Sequence, residues 1–261
     1  MWNQETTSRL GQGARQLAQD LGELAWPTRC VGCDEPGELL CPGCRASLPW
    51  ITQRTACPNC GAPHGFLTCT ECGAHLAQSD HHEVGCWETR CTICALTFRG
   101  TAALMTTALK DAHELRLAPV IAAAMATALD EAAPWPARDG RPRFDPDRLD
   151  ALCFVPATAA AYARRGFDHM ELVAHSLSAQ TGVPLADVLA RAEASDQREL
   201  GREGRIRNLS GTVVVTDDVA GAHVLLAADV VTTGATLREA ARALLARGAA
   251  SVTACGLARV W

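Results

Sequence analysis

The chain has 261 residues, 48% of them hydrophobic, which suits one large or two small domains with a real core. Its formal net charge of −5 gives no general attraction to nucleic acid, and no stretch approaches the ~20 apolar residues of a membrane span. The start of the sequence lacks a basic patch followed by an apolar run, so no secretory signal is expected. Its thirteen cysteines fall mostly in Cys-x-x-Cys pairs, which favours metal in a reducing cytoplasm over disulfides.

In chain order, Leu10, Ala14, Leu17, Leu21 and Leu24 form one apolar stripe and predict an amphipathic helix over 6–25, stopped by Pro27. Residues 1–26 are therefore one segment. Residues 27–80 carry Cys30-x-x-Cys33, Cys41-x-x-Cys44, Cys57-x-x-Cys60 and Cys69-x-x-Cys72. Each pair is a knuckle offering two thiolates, and two knuckles complete the tetrahedral four-sulfur site that structural zinc prefers. Few apolar residues separate the pairs, so metal is expected to replace a core here. Which knuckles pair is left open; disulfide or redox use is the alternative. From Pro27 to His75 there are three basic against four acidic residues, too few positive charges for a phosphate-neutralising stripe. Cys86, Cys91 and Cys94, with His81 and His82 nearby, read as buried, inert cysteines, with a third metal site as the alternative.

A helical face follows at Ala102, Met105, Ala108, Leu109 and Ala112, and a second helix from Pro119 with Ile121, Met125, Leu129 and Ala132 inward. Residues 133–148 carry four prolines and read as an exposed connection. Ala151–Val155 predicts a buried strand, with a loop to Phe167. Asp168 then caps a helix with Glu171 three residues on, running to Gly182. Residues 191–210 are polar and Arg-rich. Val213–Val215, Val224–Ala228 and Ser251–Leu257 read as strands, and this alternation implies a parallel sheet flanked by helices. Cys153 and Cys255 fall in apolar strands as core residues, and His169 and His175 read as helix-surface or boundary residues.

The strand Val224–Ala228 leads into Asp229, Thr232, Thr233, Gly234, Ala235 and Thr236. Thr236, with Glu239 three residues on, is expected to cap a helix ending at Gly248. Helix-start N–H groups and three threonine hydroxyls make a nest for a phosphate, and Asp229 can take hydrogen bonds from sugar hydroxyls. This stretch resembles the phosphoribosyl-pyrophosphate (PRPP) motif of type I phosphoribosyltransferases. The resemblance implies that Thr232–Thr236 hold the 5′-phosphate and Asp229 the ribose. The first of that motif's paired acids is Ala228 here.

With the knuckles ahead of it, residues 27–261 resemble the ComF/GntX family. Phe98, Gly100 and Lys110 match its aromatic-x-Gly helix ending in Lys. Arg165-Gly166-Phe167-Asp168-His169 stands where the family has Arg-Gly-Phe-Asn-Gln, and Gln197, Leu200, Arg205 and Asn208 match a further series. The resemblance implies an α/β fold: a type I phosphoribosyltransferase-like parallel sheet over 95–261, preceded by a small double zinc-ribbon module. It implies structural zinc, with Mg²⁺ accompanying PRPP. It also implies a role in competence for DNA uptake, with single-stranded DNA or its helicase machinery as partner. The family's basic pyrophosphate loop is Ala157-Thr158-Ala159-Ala160-Ala161 here, leaving Lys110, Arg164, Arg165, Arg202 or Arg205 to meet the pyrophosphate. Three functions stay in view: a PRPP-dependent transferase, a non-catalytic binding protein or adaptor, and a ligand-free scaffold.

Overall fold

A computed structural model describes residues 27–73, 87–191 and 213–261. The expected helix at 6–25, His81, His82, Cys86, Gln197, Leu200, Arg202, Arg205 and Asn208 lie outside the described residues. The chain divides between Ser47 and Leu48 into two compact units.

In the first unit, the described residues form two knuckles. Arg29 and Pro36 make an antiparallel bridge, and the Cys30 N–H donates to the Glu35 carbonyl (2.8 Å) across the turn at Asp34. Helix α1 (Pro42–Ala46) begins at the second knuckle. Pro42 suits its first turn, where an N–H would lack an intrahelical partner, and the Cys41 sulfur accepts from the Cys44 N–H instead (3.4 Å).

The second unit is built on four parallel strands in the order β1 (Cys91–Thr97), β6 (Ser251–Arg259), β5 (His223–Val231) and β2 (Ala151–Phe154). These strands are buried almost continuously, as strands covered on both faces must be. Helix α3 (Ala118–Ala132) packs against β1 and β6, and α5 (His169–Thr181) against β2 and β5. Helix α6 (Ala235–Ala246) packs against β5 and β6, its apolar stripe Leu237, Ala240, Ala241 and Leu244 joining the core formed by Cys94, Cys153, Leu226 and Ala254. Helix α2 (Thr101–Asp111) follows β1, and a seven-residue helix α4 (Ala159–Arg165) follows β2. A separate antiparallel pair is formed by β3 (Leu189–Arg191) and β4 (Val213–Val215). The parallel sheet with flanking helices agrees with the sequence reading.

Several local expectations need correction. The stretch 156–167 is not all loop: Thr158 accepts from the Ala161 N–H (3.2 Å) to start α4, and Gly166 ends it at φ 79°. Cys91 and Cys94 are fully buried, in agreement with their reading as inert cysteines, but they lie in a strand, β1, that the sequence did not announce, with Cys91 donating to the Arg143 carbonyl (3.3 Å). Burial pushes their thiols up to about 11 and about 12, as suits inert core cysteines. The connection 133–148 is not uniformly exposed. Arg143 is wholly buried, its guanidinium donating to the carbonyls of Pro136 (3.0 Å), Gln53 (2.7 Å) and Ala56 (3.2 Å). Nor does the second cysteine set lack a core, as the sequence suggested, since Ile51, Ala56, Cys57, Cys60, Ala62 and Cys69 join the main core on the α6 side.

Candidate functional site

β2 stops pairing with β5 at Phe154 and Ala227, while β5 and β6 remain paired to Val231 and Arg259. Beyond that step a cleft of about 240 Å³ opens at the carboxyl ends of the strands, where open α/β sheets bind their ligands. Val155–Thr158 and Ala228–Leu237 form its walls, with Arg165, His169 and Arg191 facing in. The strand is longer than expected, so Asp229 lies within β5. The helix starts two residues early, too. Gly234 adopts φ 74°, turning the chain into α6 at Ala235, and Thr236 sits inside the first turn without forming the expected cap. The Thr233 hydroxyl accepts from the Ala235 N–H instead (3.3 Å). The first N–H groups of α6 have no intrahelical acceptor and, with the dipole, form an anion seat beside the three threonines.

Asp229 is the hub of the cleft's charges. Its Oδ1 accepts from the Val230 N–H (2.6 Å), while its Oδ2 meets the Lys110 ammonium and lies 3.1 Å from His169 Nε2. Arg165 Nη1 is 3.3 Å from His169 Nδ1. A guanidinium can only donate, so Nδ1 accepts and Nε2 carries the proton given to Asp229. Burial lowers His169 to about 3, with Lys110 and Arg165 adding to the shift, so its ring is neutral at physiological pH. Burial also lowers Lys110 to about 8, reinforced by Arg165 and opposed by Asp111. Arg165 Nε is buried without a hydrogen-bond acceptor, with Asp111 Oδ1 4.0 Å away.

The loop Val155–Thr158 has a different character. Asp168 caps α5 through the Met170 N–H (2.8 Å), and its other oxygen takes the Ala157 N–H (2.6 Å). One backbone donor of the alanine loop is thus already engaged, by a carboxylate. Arg191 donates to the Pro156 carbonyl behind that loop (3.0 Å) and supplies a second cleft cation. Arg164 is exposed and lies 3.8 Å from Asp111. Sequence reasoning missed two groups. His169 was read as a boundary residue because its partner Asp229 lies 60 positions away. Arg191 was read only as part of a polar run; its place at the start of that run, next to an apolar strand, was the available signal.

The cysteines resolve into Cys30/Cys33/Cys41/Cys44 and Cys57/Cys60/Cys69/Cys72, each set with all sulfurs within 4.8 Å of one another. Separations of 3.7 Å (Cys33–Cys41), 3.8 Å (Cys57–Cys72) and 3.6 Å (Cys60–Cys69) match the ~3.8 Å between sulfurs on a tetrahedral zinc, and far exceed a disulfide bond. Crowded thiols resist ionising together: Cys30 raises Cys44 to about 12, and Cys57 and Cys72 hold Cys60 well above the thiol range. A divalent cation reverses that repulsion, so each donor set fits zinc.

A family model described as "Phosphoribosyl transferase domain" matches residues 160–260. The chain is 30% identical over 242 residues to the DNA utilization protein YhgH of Salmonella typhimurium, covering 90% of this chain and 99% of that protein. It is 26% identical over 257 residues to the competence protein ComFC of Bacillus subtilis, covering 94% and 92%. A solved hypoxanthine-guanine phosphoribosyltransferase from L. donovani aligns at 21% identity and a TM-score of 0.30, over 54% of this chain and 70% of that one.

Proposed function

Since the chain belongs to the ComF/GntX family, a cysteine-knuckle module joined to a phosphoribosyltransferase-type domain, we propose that its cleft binds PRPP or a closely related phosphorylated sugar. The observation that carries this reading is the Thr232–Thr236 turn at the end of β5, opening with the α6 N-terminus into one cleft with Asp229, Arg165 and Arg191. Thr232, Thr233, Gly234, Ala235 and Thr236 take the 5′-phosphate. Asp229 takes the ribose hydroxyls, exchanging its contact with Lys110 for them, and the released ammonium joins Arg165 beside the pyrophosphate. PRPP brings its own Mg²⁺. Arg205 is a candidate for the same anion. Both four-cysteine sets hold structural zinc in this reading.

Binding is better supported than transfer. Ala228 supplies no second ribose carboxylate, and Asp168 already occupies the Ala157 N–H on the side where pyrophosphate must be stabilised. If the chain does catalyse transfer, a nucleophile displaces pyrophosphate at the ribose C1, and Arg165 and Arg191 stabilise the charge on the leaving group.

A second reading is favoured by the relatives' names, "DNA utilization protein" and "Competence protein". In it the cleft is a sensing pocket and the protein is a cytoplasmic adaptor for single-stranded DNA or its helicase machinery. Calorimetric titration of zinc-loaded protein with Mg²⁺-PRPP tests the proposal. The wild type should bind, and an Asp229→Ala, Thr233→Ala double variant should lose at least ~10-fold in affinity, about 1.4 kcal/mol. Absence of wild-type binding removes the PRPP reading and leaves the adaptor; pyrophosphate release with a base or amine acceptor restores the transferase.

A further inference from the structure

The phosphate turn touches the second four-cysteine set by two independent routes within the second unit. The first runs through Arg259, the last residue of β6, only 4% exposed although charged. On one side its guanidinium donates to the Cys60 carbonyl (3.2 Å) and pairs with Glu71 (3.6 Å), which lies between Cys69 and Cys72. On the other it donates to the carbonyls of Val231 (3.2 Å) and Thr232. In a trans peptide the C=O and the following N–H point opposite ways. Holding the Thr232 carbonyl therefore fixes the direction of the Thr233 N–H, and Thr233 lines the cleft.

The second route runs through Asn59, between Cys57 and Cys60 and 1% exposed. Its Nδ2 donates to the Cys72 sulfur (3.2 Å), and its Oδ1 accepts from the Trp87 N–H (3.0 Å). The Trp87 indole lies directly on Gly234: a Cβ built there would come within 2.1 Å of the ring. One residue of the phosphate turn is thus pressed by a ring whose backbone is tied to a metal-site amide.

We infer that the Cys57/Cys60/Cys69/Cys72 set, with its metal, fixes the conformation of the Thr232–Thr236 turn through the positioning residues Arg259 and Asn59, so that the cleft's phosphate affinity depends on occupancy of this one set. The affinity part rests on the proposed phosphate role of the turn; the conformational part does not. The set itself fits zinc by its sulfur spacing. Loss of the ion would let four thiols separate, moving the Cys60 carbonyl and the Cys72 sulfur to which both routes are anchored.

The test is hydrogen exchange of peptides spanning 229–237 in the full-length protein, with zinc counted per chain. Cys72→Ser opens the second set, Cys44→Ser opens the first as comparison, and Arg259→Lys keeps every thiol and the charge while losing the guanidinium fork. Exchange of 229–237 should rise at least ~10-fold in Cys72→Ser and Arg259→Lys, with α3 and α5 protected as in wild type and Cys44→Ser unchanged. Mg²⁺-PRPP affinity should fall in the same two variants. If Cys72→Ser does not fold, Arg259→Lys decides the route through the guanidinium, because it retains both metal sets, and exchange before and after zinc chelation in Cys44→Ser, where only the second set is complete, decides the dependence on occupancy. Wild-type exchange of 229–237 in folded Arg259→Lys overturns the inference. Wild-type protein that fails to bind Mg²⁺-PRPP while these exchange differences persist overturns the ligand reading and leaves the coupling standing.

Discussion

At the scale of single residues, the cleft is a chain of proton and charge assignments ending on Asp229. Arg165 fixes the His169 tautomer, and His169 donates to the carboxylate. This has a consequence for acid stability. His169 titrates at about 3 when folded against an ordinary 6.5. Between those values the unfolded chain binds a proton that the folded chain does not, so stability rises with pH through that window and levels off above it. Replacing His169 by Gln, the residue that the family pattern carries there, removes the titration but leaves a side-chain amide to donate to Asp229. In urea unfolding, wild type should lose about 1–3 kcal/mol more than His169→Gln between pH 7 and pH 4.5; parallel pH profiles would show that His169 is not buried neutral. Asp229 and the threonines were legible in the sequence because their motif is contiguous. His169 was not, since it lies on a helix and its meaning depends on a residue from a distant strand.

At the scale of elements, the strand–turn–helix unit around 224–246 was readable from the apolar run and the turn residues, yet its cap was assigned wrongly. The sequence offers Thr236 and Glu239 as a capping box, but Gly234 at φ 74° starts the helix before Thr236 can act. Only the packed structure explains why: Trp87 occupies the space a side chain would need. Gly234→Ala should therefore destabilise strongly, by about 2–4 kcal/mol, from the left-handed backbone together with overlap with the ring. The strain belongs to residue 234, the overlap to the pair. Trp87→Leu combined with Gly234→Ala should thus recover about 1 kcal/mol relative to the sum of the single changes, measured as a double-mutant cycle. Strict additivity would mean that the indole does not press on the turn. β1 and α4 escaped the reading for other reasons. Cys91–Thr97 was read for its cysteines, as buried and inert, and their mixture with threonines hid the apolar run of a strand. Ala159–Arg165 buries no residue, so it has no apolar stripe to detect.

At the scale of the whole molecule, the net charge of −5 set against relatives named for DNA use poses the sharpest functional question. Several of the described arginines are already paired with acids. Arg238 and Arg242 share Glu88, Arg259 meets Glu71, Arg90 meets Asp139, Arg29 meets Asp34 and Arg148 meets Asp145. A guanidinium already paired with a carboxylate gains little by exchanging it for a phosphate, and releases correspondingly few counterions. Arg198, Arg202, Arg205 and Arg207 form a dense arginine stretch with few acids among them, outside the described residues. If the chain contacts single-stranded DNA itself, that stretch should supply most of the electrostatic attraction. Changing all four to Ala should then reduce the slope of log affinity against log salt by about 3, at roughly 0.7 per neutralised phosphate on a single strand. Fluorescence anisotropy with a labelled oligonucleotide across a salt series measures this. An unchanged slope would move the DNA contact elsewhere on the chain, and no binding even by wild type at low salt would leave a protein partner as the link to DNA. Loss of the slope with Mg²⁺-PRPP affinity intact would divide the chain's work between a basic segment that holds the strand and a phosphate cleft that acts independently. Loss of both would make Arg205 or a neighbour common to the two anions, as the family series before the PRPP strand suggests.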